Sequence, residues 1–134
     1  MQKIDFIKMH GLGNDFVIID NRKKLISVTP DIISKLSDRR SGAGCDQLIT
    51  INETKGKEDA QIAIYNPNGD KAEACGNGTR CVAKLLFEEN NKKSINILSD
   101  AGILNASYKD KNNISVNMGK LHTKWNKMRK VQFV

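Results

Sequence analysis

The chain has 134 residues, 39% hydrophobic and 28% charged, which is the balance of a soluble globular protein of one domain's length. No apolar run approaches the roughly 20 residues of a membrane helix, so no membrane association is expected. The net charge of +7 does not make a nucleic-acid surface, because Lys120, Lys124, Lys127, Arg129 and Lys130 supply five of those charges with no acidic residue among them. It reads as a solvated basic tail over 120–134, following a folded segment over 1–119.

In chain order, "IDFIKM" and "FVIID" are short β-branched runs separated by "HGLGND": strand, glycine-rich turn, strand. Thr29-Pro30-Asp31 is a helix start, with Thr29 as cap and Pro30 in the first turn. Ile32, Ile33 and Leu36 give that helix its apolar face, and Arg39 and Arg40 close it. The loop "SGAGCD" leads into a strand "QLITI", the polar "NETKGKED" is an exposed loop, and "AQIAIYN" alternates as another strand. A helix is predicted from about Gly78 to Glu89, with Cys81, Val82, Leu85 and Leu86 as its apolar stripe. Three strands follow, "SINILS", "ILNASYK" and "NISVNMG", with turns at Asp100–Gly102 and Asp110–Asn113. The order is ββαββα and three strands, a mixed α/β or α+β domain whose second helix is the natural core element.

The cysteines carry the chemistry. Cys45, Cys75 and Cys81 are an odd set with no ligand spacing and no neighbouring histidine, so neither a disulfide framework nor a metal site is expected. The N-terminus has Lys3, Asp5, Lys8 and His10 among its apolar residues and lacks the apolar core of a secretory signal, so a cytoplasmic, reducing compartment is the default. A free cysteine is usually a small buried hydrophobe, and Cys81, on the helix stripe, fits that. Cys45 sits in a glycine-rich loop without an activating base. Cys75 precedes Gly76-Asn77-Gly78 at a helix start, where unpaired amides and the positive end of the dipole favour a thiolate. With no side chains at Gly76 and Gly78, the same amides can cradle a carboxylate.

Two chemistries suit such a thiolate. A covalent nucleophile normally wants a histidine base, and only His10 and His122 are available, neither in a recognisable motif. A general base needs none: it could take a Cα proton from an amino acid whose carboxylate lies over the helix start. The residues favour the second.

Four blocks, "KMHGLGNDFVIID", "GAGCDQLI", "IYNPNGDKAEACGNGTRCVAKLL" and "ISVNMG", resemble the diaminopimelate epimerase family in order and spacing, from about Phe6 to Gly119. The resemblance implies one of two similar domains, each a curved mixed sheet wrapped around a central helix, with the active site between them. It implies a cofactor-independent isomerase interconverting LL- and meso-diaminopimelate, for lysine and peptidoglycan synthesis, by a two-cysteine acid/base mechanism. Cys75 matches the first catalytic cysteine, Asn14, Gln47 and Asn66 match polar substrate contacts, and Gly76 and Asn77 match the backbone cradle. Cys45 departs from the family's small or apolar residue. The family's second cysteine belongs to a second domain that this chain does not contain. The expectation is therefore half an enzyme, inactive alone, working with a missing C-terminal domain or partner chain and prone to form a homodimer. The alternatives are a related proline racemase-like or phenazine-biosynthesis-like isomerase, and a non-catalytic binding or assembly module with a vestigial site.

Overall fold

Phe16, Val17, Ile18 and Ile19 are all buried, although successive side chains of a strand point to opposite faces. A strand reads as an unbroken apolar run when both faces are covered. Phe16 and Ile18 join one cluster with Ile49, Ile62, Ile64, Ile95 and Ile97. Val17 and Ile19 join another with Ile26, Ile33, Cys45 and Leu48. One sheet therefore divides two cores.

The computed structural model describes residues 3–119; the segment 120–134, expected as a basic tail, lies outside the described residues. The strands are β1 (Ile7–Gly11), β2 (Asn14–Asp20), β3 (Gln47–Asn52), β4 (Ala60–Tyr65), β5 (Lys71–Ala72), β6 (Ser94–Ser99), β7 (Gly102–Asp110) and β8 (Asn113–Asn117). The helices are α1 (Pro30–Ser37) and α2 (Gly76–Asn90). The sheet runs β1-β2-β3-β4-β6-β7-β8, with β5 paired to β4. The β2–β3 and β4–β6 pairs are parallel and the others antiparallel. Parallel neighbours need a crossover connection, and α1 and α2 lie in these two connections.

Helix α1 covers the outer cluster through Ile33. Helix α2 packs on β2, β6 and β7 and also touches β1 and β8, the two outermost strands of the path. One helix reaches both ends only if the sheet curls around it. The expected curved mixed sheet around a central helix is thus the observed fold, and α2 is its core.

The differences from the sequence reading are local. The first two strands were expected over 4–9 and 16–20, yet Gly11 pairs with Asn14, leaving a turn of only Leu12 and Gly13. Both have positive φ, 53° and 83°, the twist that a two-residue hairpin requires. The consequence is that Asn14 belongs to a strand, not a loop. Helix α1 ends at Ser37 rather than at Arg39 or Arg40, because Asp38 turns the chain and its Oδ1 accepts the Arg40 and Ser41 amides at 2.8 Å. Helix α2 begins two residues earlier than predicted. Its buried arc includes Thr79, Ala83 and Phe87, while Leu85 is only partly buried. A helix enclosed by a curled sheet buries more than one stripe.

Candidate active site

Cys75 is the N-cap of α2, in extended backbone with φ −151° and ψ 107°. Its Sγ accepts the Gly78 amide at 3.4 Å, the bond that an N-cap oxygen makes in most helices. Its carbonyl accepts the Thr79 hydroxyl at 2.8 Å and the Thr79 amide at 2.9 Å. The thiol is therefore fixed at the helix start, and the residue is half-buried rather than enclosed.

The sheet brings the predicted partners to it. The N-terminal ends of β2 and β3 and the C-terminal end of β4 lie along one edge, since β2 and β3 are parallel and β4 is antiparallel to β3. Phe16, Ile49 and Ile64 face α2 in the inner core. Two residues away from these, Asn14 of β2, Gln47 of β3 and Asn66 just after β4 lie at the rim of that face. Asn14 Oδ1 stands 3.7 Å from Cys75 Sγ and accepts Asn77 Nδ2 at 3.5 Å. Gln47 Nε2 donates to Asn66 Oδ1 at 3.0 Å. The candidates form two contact sets, Cys75 with Asn14 and Asn77, and Gln47 with Asn66, on one face of one sheet end.

The two glycines after Cys75 differ. A Cβ on Gly76 would meet only Met118 Sδ, at 3.9 Å, so the approach to its amide is open. A Cβ on Gly78 would lie 2.6 Å from Ile49 Cδ1 and 3.2 Å from Phe16 Cε1. Gly78 is there for packing against the inner core, not to admit a ligand.

The other cysteines are remote from this role. Cys81 is buried in the inner core, and burial pushes its thiol up from the ordinary value. Cys45 is buried in the outer cluster, its sulfur 3.5 Å from Ser37 Oγ. All three are free thiols. Among the described residues, no group of three His, Cys, Asp or Glu side chains is placed to hold a metal ion. No described helix is long and apolar enough to cross a membrane.

Beneath Asn14 lies an ionic cluster that the sequence reading missed. Asp15 and Asp46 exchange bonds across the β2–β3 edge: Asp15 Oδ1 accepts the Asp46 amide at 2.8 Å, and Asp46 Oδ2 accepts the Asp15 amide at 3.0 Å. Arg39 bridges them, with 2.8 and 3.0 Å bonds to Asp15 and one of 2.9 Å to Asp46. Lys8 adds a 2.9 Å ion pair to Asp15. The Arg39 guanidinium holds the Asp15 carboxyl well below the usual carboxylate range, against the opposing effect of burial. Asp46 is also lowered, first by the Asn14 amide, which donates to its Oδ2 at 2.9 Å.

A pH dependence follows from these directions. A carboxyl depressed in the folded state contributes stability above its unfolded pKa, near 4, and loses it as pH falls toward the folded value. Replacing Arg39 by Leu is expected to lower the melting temperature at pH 7. The gap to wild type should narrow as pH is taken from 5 toward 2. Thermal melts of both proteins across that range check it; a gap constant with pH would remove Arg39 from the account.

The fold recurs in solved structures. The chain superposes on methylitaconate-delta-isomerase with a TM-score of 0.65, covering 82% of this chain and 62% of that one at 14% identity. It superposes on a phenazine biosynthesis protein of the PhzF family from Bacillus anthracis at 0.61, covering 80% and 36% at 20% identity. For a hydroxyproline epimerase from Agrobacterium vitis the TM-score is 0.60, covering 79% and 38% at 14% identity. The curled mixed sheet around a central helix thus defines the class: the proline racemase and PhzF-like fold.

Sequence comparison narrows the class. The diaminopimelate epimerase family profile matches residues 6–124, and the chain belongs to that family. It is 44% identical over 120 residues to the diaminopimelate epimerase of Rickettsia akari, covering 89% of this chain and 44% of that protein. It is 42% identical over 123 residues to that of Zymomonas mobilis, covering 92% and 44%. The chain spans less than half the length of these relatives.

Proposed function

We propose that this chain carries one of the two proton-transfer groups of a diaminopimelate epimerase, with Cys75 as that group. The observation that carries the reading is the environment of its sulfur. Cys75 Sγ receives an N–H from Gly78 and faces a carbonyl oxygen of Asn14, so thiolate and thiol each have a partner, as a group that both removes and returns a proton needs. The substrate's α-carboxylate would lie over the open amides of Gly76 and Asn77, where the helix start stabilises the negative charge that develops when the Cα proton leaves. Asn14, Gln47 and Asn66 would hold the remaining polar groups. No step in this chemistry requires a cofactor.

Inversion requires a second acid on the opposite face of Cα. Cys45 and Cys81 are enclosed in the two cores, so a second domain or partner chain would supply it. Two exposed apolar side chains flank the site and support such a cover. Leu12 is 90% exposed at the β1–β2 turn, and Met118, 40% exposed, lies beside Gly76. Leu12 is also an awkward choice for its backbone: asparagine suits a positive φ before glycine far better.

The binding reading is tested by titrating diaminopimelate into the isotopically labelled chain and following amide resonances. Shifts should concentrate on Asn14, Gln47, Asn66, Gly76 and Asn77; shifts scattered elsewhere, or none at millimolar ligand, would end it. The cover predicts self-association of the isolated chain, measurable by sedimentation. Leu12→Asn should weaken that association while raising the melting temperature, because it removes an exposed apolar group and improves the turn.

A further inference from the structure

Asn14 is held in one orientation from both sides. Its Nδ2 donates to Asp46 Oδ2 at 2.9 Å, and an ionised carboxylate can only accept. Asp46 is kept in that role by the Arg39 guanidinium, at 2.9 Å, and by the Asp15 amide, at 3.0 Å. On the other side, Asn77 Nδ2 donates to Asn14 Oδ1. Asn77 cannot turn over either, because its own Oδ1 accepts from Arg80, and a guanidinium can only donate. The bonds run one way, from Arg80 through Asn77 and Asn14 to Asp46, with a fixed donor at one end and a fixed acceptor at the other.

The direction matters at the sulfur. It places Asn14 Oδ1, rather than Nδ2, toward Cys75 Sγ at 3.7 Å. An S–H can donate to that oxygen, whereas a thiolate meets only its lone pairs. The Gly78 amide acts in the opposite sense. Among the described residues, the groove beside Asn77 and Arg80 is also lined by His10 of β1, Lys84 of α2 and Lys111 of the turn before β8. Along α2, Cys81 interacts electrostatically with Cys75, and Arg80 acts through Asn77. Asp15 of β2 and Asp46, just before β3, act from behind Asn14. Directly after β8, the uncharged Met118 lies beside Gly76.

We propose that Asp46 is a positioning residue for Cys75: by fixing the Asn14 amide it keeps a hydrogen-bond acceptor on the sulfur, so that the group stays available as a proton donor as well as a base. The proposal rests on reading Cys75 as the proton-transfer group. Its test reads the thiol directly. Failure of the epimerase reading shows as absent substrate exchange, and failure of the positioning role shows in the alkylation profile, so the two are told apart.

The test is the pH profile of Cys75 alkylation by iodoacetamide in the 134-residue chain, followed by peptide mass. With Asp46→Ala, Asn14 is free to present its Nδ2 to the sulfur. The midpoint should fall, and the thiolate fraction on the alkaline-rising limb should increase about three- to tenfold. Removing an anion alone would also lower the midpoint, so the cycle with Asn14→Leu decides. Asn14→Leu alone should lower the midpoint, since the acceptor is gone, and adding Asp46→Ala to it should lower it further by clearly less than Asp46→Ala does in the wild-type background. An Asp46→Ala shift that persists undiminished without Asn14, or a midpoint unmoved or raised in either single variant, overturns the proposal. Circular dichroism identifies folded variants; should Asp46→Ala not fold, the direction of the Asn14→Leu midpoint alone upholds or overturns it.

Discussion

Incubated with LL-diaminopimelate in deuterated water, the 134-residue chain is expected to exchange the Cα hydrogen slowly, with retention of configuration, and to form no meso isomer. With Cys75 as the proposed proton-transfer group, the substrate would be reached from one face, and the proton removed could return only there. A positioned acid or base contributes roughly 10²–10⁴-fold, and an open site also lacks the exclusion of water that strengthens electrostatic stabilisation. With no opposing acid supplied to the proposed site, inversion should therefore fall below detection. NMR of the same sample reports both the residual Cα–H signal and the meso product, with Cys75→Ser as the control that should abolish exchange. Accumulation of the meso form, lost in Cys75→Ser, would show a second acid within the chain or across a dimer. His10, exposed on β1 in a groove shared with Asn77, would be the first residue to replace.

What the sequence disclosed and what it hid follow from the range of the interactions. The helix around Cys81 and Val82 and the strands at 47–51, 60–66 and 94–99 rest on local periodicity, and these appear where expected. The N-cap position of Cys75 is likewise local: a residue before Gly-Asn-Gly and an apolar run. The hairpin was misplaced because Leu12 carries none of the usual marks of a positive-φ turn. The two-residue β5 is too short to show a period. The glycines after Cys75 look equivalent in sequence, and only packing distinguishes Gly76, open to solvent, from Gly78, pressed against Ile49 and Phe16. The Asp15–Arg39–Asp46 cluster was hidden for a different reason. Its members come from β2, the segment after α1, and the residue before β3: the parallel β2–β3 pairing makes Asp15 and Asp46 neighbours, and the turn after α1 brings Arg39 to them. Family likeness pointed to Asn14 but not to what orients it.

Among the three thiols, Cys75 should react with iodoacetamide at least about 10²-fold faster than Cys45 or Cys81 in the folded chain, a contrast set by exposure and by capping together. Cys81 and Cys45 are 5% and 3% exposed. Reaching either requires an opening of the core, whose free energy approaches that of global unfolding for residues packed this deeply. Burial adds a second barrier at Cys81, because it raises the thiol above its ordinary value and thins the reactive thiolate. Cys75 faces neither obstacle: it is half-buried at the rim, where its Sγ accepts the Gly78 amide. Timed labelling at pH 7 to 9, quenched and mapped by peptide mass, gives the three rates from one sample. Repeating it in denaturant should bring the rates within a few fold of each other, since the contrast belongs to the fold. Cys81 reacting first in the native chain would mean that α2 does not sit in the curled sheet as described, and the site built on its N-terminus would fall with it.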